Sequence, residues 1–386
     1  MALRTNIHTN HDIFRTVALA VAALVLFSCQ KEDALDGNSG KVTIYPVINR
    51  SIETTVQTRA LAGFTYSEFT DGKQTLSANA IAFNAQTNAR VADQDKQGIF
   101  APLTQGWRST IEVEPSYKYN LYTYSRNMPS ASTTFNFGSE SNVSLTFNGL
   151  SIMTQVDPLV GVAAAGASLP ANNVAPANYP ELTKGSFSLG TIPAAENGST
   201  FKAFLALDHL YAKATISFCI DETYSSLRQV RIKDVQIKMD KGTLTGNHTY
   251  TFFDQTLRYA SDKAIDGSAI SIDLYDGDNA TATPNQGDDF IALTTEMREF
   301  GYYYFLPLDP TPAMYLEVTY DIYDLKGHPV RENQTAKNSN LFAAISFNGG
   351  KAAAGNNYQV NILVSPTYLY QLSDDDLELG LTVLQQ

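Results

Sequence analysis

The feature that most constrains the fold of this chain is a long series of short segments in which apolar and polar residues alternate. Polar turn residues separate these segments, and no long amphipathic helical pattern lies between them. Alternation with a period of two is typical of half-buried β-strands. We therefore predict an all-β protein built from stacked β-sandwiches with antiparallel or mixed sheets. The predicted strands are 41–49, 78–84, 108–114, 118–125, 144–147, 200–207, 213–220, 229–239, 246–253, 270–275, 289–294, 301–306, 314–323, 341–347, 358–364 and 377–384, with a short helix near 221–227.

The composition agrees with a β-rich, two-domain chain. Tyr (21) and Phe (20) are plentiful among the 386 residues, and there is a single Trp. Without residues 1–28 the mature chain has 358 residues, enough for two domains that each bury a core. Residues 161–182 are rich in Ala, Pro and Asn and are interpreted as a long loop near the boundary. We expect one β-sandwich over 60–195 and a second over 196–386.

The N-terminus carries a secretory signal. Arg4 and Arg15 precede eleven apolar residues, Val17 to Phe27. That run is too short to span about 30 Å of hydrocarbon as a helix, so we interpret residues 1–28 as a signal peptide. The run ends at Leu26-Phe27-Ser28-Cys29, which resembles a bacterial lipobox in which Cys29 is acylated. The alternative is an ordinary signal peptide with a chance cysteine at its end.

The mature chain is acidic and has only two cysteines. Residues 1–28 carry a net charge of +1, so their removal takes the chain from −12 to about −13. An acidic surface argues against nucleic acid or anionic lipid as a partner, because both need basic patches. Besides Cys29 there is only Cys219, in an apolar run, so no disulfide is expected within one chain.

The residues that could carry chemistry form no catalytic constellation. No HExxH, GxSxG, phosphate-binding loop or GxGxxG pattern occurs, and His209, His248 and His328 stand far apart. We therefore predict no enzyme activity, no catalytic residue, no metal and no cofactor. His209 follows an apolar strand and is interpreted as a satisfied histidine at a strand end.

Two weaker patterns remain. Asp276 and Asp278 lie on a Gly/Asn-rich segment and could attract calcium, but they lack the full ligand register of an EF-hand, which favours a solvated acidic turn. Tyr302-Tyr303-Tyr304 could supply stacking platforms for a glycan, although aromatic residues in such strands more often belong to the core.

Three features together suggest assembly by strand exchange. The strand 41–49 lies outside the main body and is followed by a polar segment that ends at Arg59. A trypsin-like protease could cut the bond between Arg59 and Ala60. Arg50 is the other candidate cleavage site. At the other end of the chain a period-two row of apolar residues runs almost to the C-terminus: Leu377, Leu379, Leu381 and Val383. A sandwich that loses an edge strand can accept a matching strand from another subunit, and repetition of this heterologous contact produces a filament.

Several segments resemble the Bacteroidetes fimbrillin family of type V pilins. They are the lipobox followed by Gln30-Lys31-Glu32-Asp33, Thr58-Arg59-Ala60, the Tyr-rich strand Tyr117–Tyr124, Val156-Asp157-Pro158-Leu159-Val160, Phe204–Ile220 and Gly355–Val364. The resemblance covers nearly the whole mature chain, and its motifs describe strands rather than a chemical site. The tryptophan with which some members end is absent, since the sole Trp is Trp107.

The resemblance implies two transthyretin-like β-sandwich domains in tandem and export as an outer-membrane lipoprotein held by lipid, palmitate included, on Cys29. It also implies that residues 29–59 form a tether and a removable N-terminal strand, released by an arginine-specific protease between Arg59 and Ala60. The partners would be other pilin subunits, joined through the C-terminal strand, with an unidentified host or bacterial receptor. The alternative hypothesis is a lipid-anchored surface protein that binds a glycan or host protein without polymerising.

Overall fold

The structure is a computed structural model. It describes residues 42–48, 75–103, 106–114, 117–139, 141–164, 188–191, 200–254, 256–277, 291–338, 340–342, 347, 351–366 and 379–383. None of the helices within these ranges has the length and apolar character that crossing a bilayer requires.

The described chain is almost entirely β-structure, as predicted. A 3-10 helix spans Ala92–Gln94, and one α-helix, α1, spans Glu222–Ser225. The strands are β1 (Val42–Ile48), β2 (Leu76–Asn84), β3 (Lys96–Leu103), β4 (Gly106–Ser109), β5 (Glu112–Val113), β6 (Tyr117–Ser125), β7 (Ser132–Ser139), β8 (Asn142–Ser151), β9 (Met153–Thr154), β10 (Leu159–Ala164), β11 (Ser188–Thr191), β12 (Thr200–His209), β13 (Ala212–Ile220), β14 (Gln229–Met239), β15 (Thr243–Thr251), β16 (Thr256–Arg258), β17 (Ile265–Asp266), β18 (Ile270–Asp276), β19 (Ile291–Ala292), β20 (Arg298–Phe305), β21 (Tyr315–Tyr323), β22 (Pro329–Lys337), β23 (Asn357–Pro366) and β24 (Leu379–Val383).

Within the described ranges these strands form four sheets. The first sheet has the order β4-β3-β2-β6-β10-β12-β1-β5, with β11 beside β6. The second is β16-β15-β8-β7, with β17 beside β15. The third is β24-β23-β13-β20-β9, and the fourth is β18-β14-β21-β22, with β19 beside β14.

Aromatic side chains pack the sheets face to face. Tyr122 in the first sheet lies 5.8 Å from Phe135 in β7 and 5.1 Å from Phe252 at the end of β15, measured between ring centroids. Tyr275 in the fourth sheet lies 5.5 Å from Phe300 in the third. Each pair of facing sheets therefore encloses apolar side chains, as in a β-sandwich.

The two halves of the chain share sheets. β12, from beyond the expected boundary at 195/196, is paired with β10 in the first sheet. β15 joins β8 in the second sheet, and β20 joins β9 in the third. Hydrogen bonding thus joins residues on both sides of this boundary, and the division into two tandem domains stays a prediction.

The Tyr-rich strand β6 shows why the aromatic pattern belongs inside the protein. It is paired with β2 on one edge and with β10 and β11 on the other. Tyr119 and Tyr122, which point to opposite faces, are both buried. The predicted packing of this strand on both of its faces is therefore confirmed.

Candidate functional site

β1 is held by two strands of unequal length. Six of its residues, Thr43 to Ile48, pair in parallel with Thr200–Leu205 of β12. On the other edge only Val42 and Thr43 pair, with β5, although β4 also lies close to β1. From Ile44 onward no described strand pairs with this outer edge.

The position of β1 differs from the expectation that it stands outside the main body. The strand forms over Val42–Ile48 as predicted. It is not a detached segment, because it lies between β12 and β5 in the first sheet. The physical reason is that an extended strand leaves its N–H and C=O groups unpaired unless another strand accepts them. β12 and β5 supply those partners.

β12 depends on β1 at its start. Six of its ten residues, Phe204 to His209, pair with β10, and six, Thr200 to Leu205, pair with β1, so the two ladders overlap only at Phe204 and Leu205. Among the described residues, Thr200–Ala203 have no ladder partner other than β1. β5 likewise has no described strand partner except β1. Removal of β1 would therefore open a slot beside β12, lined on its far side by the two residues of β5 among the described strands.

Pro46 limits how well β1 can fill this slot. It lies in the middle of the strand, opposite Ala203 in the parallel ladder. Proline has no backbone N–H, so one edge of β1 lacks a donor at this position. The strand that closes the slot is therefore an imperfect occupant.

The C-terminal strand β24 also lies at an edge. It pairs antiparallel with the end of β23 over Leu379–Val383 and terminates the third sheet. The Leu381 side chain packs against the core, and the Asn338 Nδ2 donates to the Leu381 carbonyl at 3.4 Å. Of the predicted donor residues, the structure thus places Leu379, Leu381 and Val383 in a terminal strand.

The remaining sequence-based sites lie outside the described residues. They are the acylation site Cys29, the cleavage site Arg59-Ala60, the other candidate Arg50, the first donor residue Leu377 and the second acidic residue Asp278. These sites stay predictions.

A buried polar cluster marks the end of β12. The His209 Nδ1 lies 2.6 Å from the Asp157 Oδ2, and both side chains are at most 5% exposed. Burial raises the pKa of the Asp157 carboxyl, and the nearby His209 opposes that rise. The predicted position of His209 at a strand end is confirmed, and its Nδ1 is paired with Asp157. Sequence reasoning missed Asp157, although an acidic residue between Val156 and Pro158 in an apolar run was a usable signal.

Asp208 extends this cluster toward the second sheet. The Tyr250 hydroxyl donates to the Asp208 Oδ2 at 3.4 Å. Burial raises the pKa of Asp208 to about 6, with His209 and the Tyr250 hydroxyl acting in the opposite direction. The end of β12 is therefore tied to β10 and to β15 by side chains whose charge state depends on the fold.

The weaker candidates take structural positions. Tyr303 and Tyr304 are buried, and Lys213 lies over the Tyr302 ring at 3.9 Å, so the row belongs to the packed body rather than to an open stacking platform. Asp276 is the last residue of β18, and its negative charge helps to raise the pKa of Asp234. Burial and the charge of Asp273 raise that pKa more. The described part of the chain contains no group of three or more His, Cys, Asp or Glu residues arranged to hold a metal.

The chain matches no protein-family model, and no curated protein matches it. Several solved structures are similar to it over most of its length. The chain is similar to a fimbrial protein from Bacteroides vulgatus, at 11% identity and a TM-score of 0.44, over 89% of this chain and 99% of that one. It is also similar to the fimbrial anchor protein Mfa2 from Porphyromonas gingivalis, at 9% identity and a TM-score of 0.28, over 89% of this chain and 99% of that one.

Proposed function

We propose that this chain is a structural subunit of a cell-surface fimbria that polymerises by β-strand exchange. The observation that carries the proposal is the dependence of Thr200–Ala203 on β1. Donor-strand complementation requires a segment whose loss leaves a slot and a separate segment that can form a strand, and β1 and β24 fit these two roles. The motifs that resemble fimbrillin add support.

Maturation has two proposed steps. The chain is exported and held at the outer membrane by lipid on Cys29, and residues 41–59 keep it inert while β1 occupies the slot. An arginine-specific protease then cuts between Arg59 and Ala60, and β1 leaves because no covalent link any longer holds it to the body.

The incoming strand is proposed to be the C-terminal segment of a second copy. The stretch from Leu377 to Val383 is as long as β1, and it contains no proline, so its backbone donors are complete. Such a contact is heterologous, because the donor end and the acceptor slot are different parts of the molecule. Repetition therefore extends a fibre instead of closing a dimer.

Protease treatment of the purified precursor tests this function. Digestion with an arginine-specific protease should give a product whose N-terminal sequence begins at Ala60, and fibres should be visible by electron microscopy. The variant Arg59→Ala should remain monomeric, whereas the matched variant Arg50→Ala should polymerise like the wild type. Equal cleavage and fibre growth in Arg59→Ala would show that the activation scheme is wrong.

A further inference from the structure

Three polar side chains from neighbouring strands meet in the fourth sheet. They are Lys233 in β14, Asp321 in β21 and Asn333 in β22, and β21 lies between the other two strands. The Lys233 Nζ donates to the Asn333 Oδ1 at 2.7 Å, and the same nitrogen lies 3.8 Å from the Asp321 Oδ2. The amine is therefore hydrogen-bonded to the carbonyl oxygen of a carboxamide, and a carboxylate lies beside the amine.

The carboxylate fixes the position of the carboxamide. The Asp321 Oδ1 accepts the backbone N–H of Asn333 at 2.7 Å, and the Tyr323 hydroxyl donates to the Oδ2 at 3.5 Å. Asn333 has a positive φ of 54°, and the pairing of β21 with β22 shifts its register on either side of Ile322. A residue held in the left-handed region at a bulge has a restricted side-chain direction, which here is toward Lys233.

The three side chains differ in their exposure to solvent, and these differences favour a reaction between the amine and the carboxamide. The side chain of Asp321 is 4% exposed and that of Lys233 is 17% exposed, so little water separates them. Asn333 is exposed. A small leaving group released from its carboxamide can therefore pass directly into solvent.

We propose that Lys233 and Asn333 form an intramolecular isopeptide bond, with Asp321 as the group that transfers the protons. Holding the amine on the carbonyl oxygen, one bond from the carbon that it attacks, lowers the entropic barrier that a bimolecular amide exchange would face. A buried carboxylate beside the amine is a suitable general base and then general acid.

The reaction is balanced without any other reagent. Asp321 takes a proton from the Lys233 ammonium, and the free amine adds to the Asn333 carbonyl carbon, forming the new C–N bond. Protons pass through Asp321 to the former amide nitrogen, the old C–N bond breaks, and ammonia leaves and is protonated. A lysine ammonium and a carboxamide become an amide and an ammonium ion, and Asp321 returns to its carboxylate.

The bond would join strands that are far apart in the chain. Lys233 and Asn333 are separated by 100 positions, and the crosslink would span β21 and tie the two strands that flank it. A closed loop of this length restricts the unfolded chain strongly. This inference does not depend on cleavage at Arg59 or on polymerisation.

Intact mass spectrometry of the purified, folded mature chain tests the bond. The expected mass is about 17 Da below that calculated from the sequence, because one NH₃ is lost. After tryptic digestion, residues 232–238 and 332–337 should appear as one linked peptide, since an acylated Lys233 is no longer a cleavage site. A full mass together with free peptides from these two segments would overturn the proposal.

Variants separate the bond from ordinary side-chain contacts. Lys233→Arg keeps the positive charge and should show the full mass, as should Asp321→Ala if it folds. Lys238→Arg is the matched control, because Lys238 lies on the same strand and pairs with the Glu317 carboxylate in β21, so it should retain the loss of about 17 Da. A mass loss that persists in Lys233→Arg would assign the modification to another site and contradict the proposal.

Discussion

Pro46 lies opposite Ala203 in the parallel ladder between β1 and β12. A residue without an N–H thus sits in the middle of the strand whose departure the proposed assembly requires. β1 pairs with β12 over six residues, but most of its outer edge has no described strand partner. The proposed assembly requires a strand of this kind, which covers β12 in the precursor and is later displaced.

Replacement of Pro46 should make β1 harder to displace. Pro46→Val restores a backbone donor to β1. Where this N–H faces β12, the additional hydrogen bond has a net value of about 1 kcal/mol, or roughly a fivefold change in an equilibrium. We expect slower release of the fragment that ends at Arg59 after cleavage, followed by chromatography of the digest. Thr43→Val, on the same strand, changes no backbone donor and should release it like the wild type. Equal release rates for both variants would argue against a role for Pro46.

The C-terminal segment should be needed for polymerisation but not for folding. Deletion of residues 377–386 removes β24, which lies at the end of the third sheet and pairs only with β23 among the described strands. We expect a folded chain that is cleaved normally yet remains monomeric, measured by light scattering and circular dichroism. Continued fibre growth would place the donor strand elsewhere in the chain.

Two His–Asp pairs provide a matched test of burial. His209 and Asp157 are 5% and 1% exposed, whereas His328 and Asp324 are 73% and 33% exposed. His209→Ala leaves a carboxylate buried without this histidine and should lower the free energy of unfolding by about 3 kcal/mol. His328→Ala, in a pair open to solvent, should change it far less. Urea denaturation of both variants measures the difference, and similar losses would contradict the assignment of the buried pair as structural.

Asp208 should make the fold more stable as the pH falls from about 7 to about 5. Its pKa in the folded chain is about 6, above the ordinary value of 3.8, because burial penalises the charged form. A raised pKa contributes stability that is present at low pH and is lost as the pH rises through about 6. Asp208→Asn removes the charge, and we expect it to raise the free energy of unfolding at pH 7.5 by on the order of 2 kcal/mol and to flatten the pH dependence.

A surface carboxylate serves as the control for this pH dependence. The pKa of Asp254 is lowered by hydrogen bonds from Thr251 and Arg258, so its contribution is lost only as the pH falls through the acid range. Asp254→Asn should therefore leave the slope between pH 5 and pH 7 unchanged. Thermal unfolding across this range checks both variants, and an unchanged slope in Asp208→Asn would contradict the role of Asp208.

Strands with a strong apolar pattern could be predicted from the sequence. β14 was predicted at its observed limits of 229–239, and the short helix near 221–227 forms as α1, with the Asp221 side chain accepting the Tyr224 N–H. In these segments local chemistry and tertiary packing favour the same structure, which is why sequence reasoning succeeded.

Edge strands and one Ala-rich strand were missed. β7 and β22 lie at sheet edges, where one strand partner suffices and polar residues are tolerated, so their sequences have no clear apolar row. The prediction of a loop over 161–182 was wrong at its start, because β10 extends to Ala164. Its Gly and Ala residues fit a strand enclosed between β6 and β12, a context that only the fold reveals.

Pairing between distant segments could not be derived from the sequence. β1 and β12 are more than 150 positions apart, and alternation shows that a strand has two faces without identifying its neighbour. The same applies to Asp157 and His209, which are 52 positions apart and meet because β10 and β12 are adjacent. Strands with a clear apolar row were therefore predictable, whereas the pairing of β1 with β12 and β5 was not.

Amide hydrogen exchange at Thr200–Leu205, followed by mass spectrometry, tests most directly whether β1 is the displaceable partner of β12. In the uncleaved precursor the amides of this segment that donate to β1, about every second one, should be protected. After cleavage of the chain that lacks residues 377–386, their exchange should become fast, and in fibres of the full-length subunit protection should return. Unchanged protection in the cleaved, truncated monomer would mean that no slot opens, and the proposed assembly would be wrong.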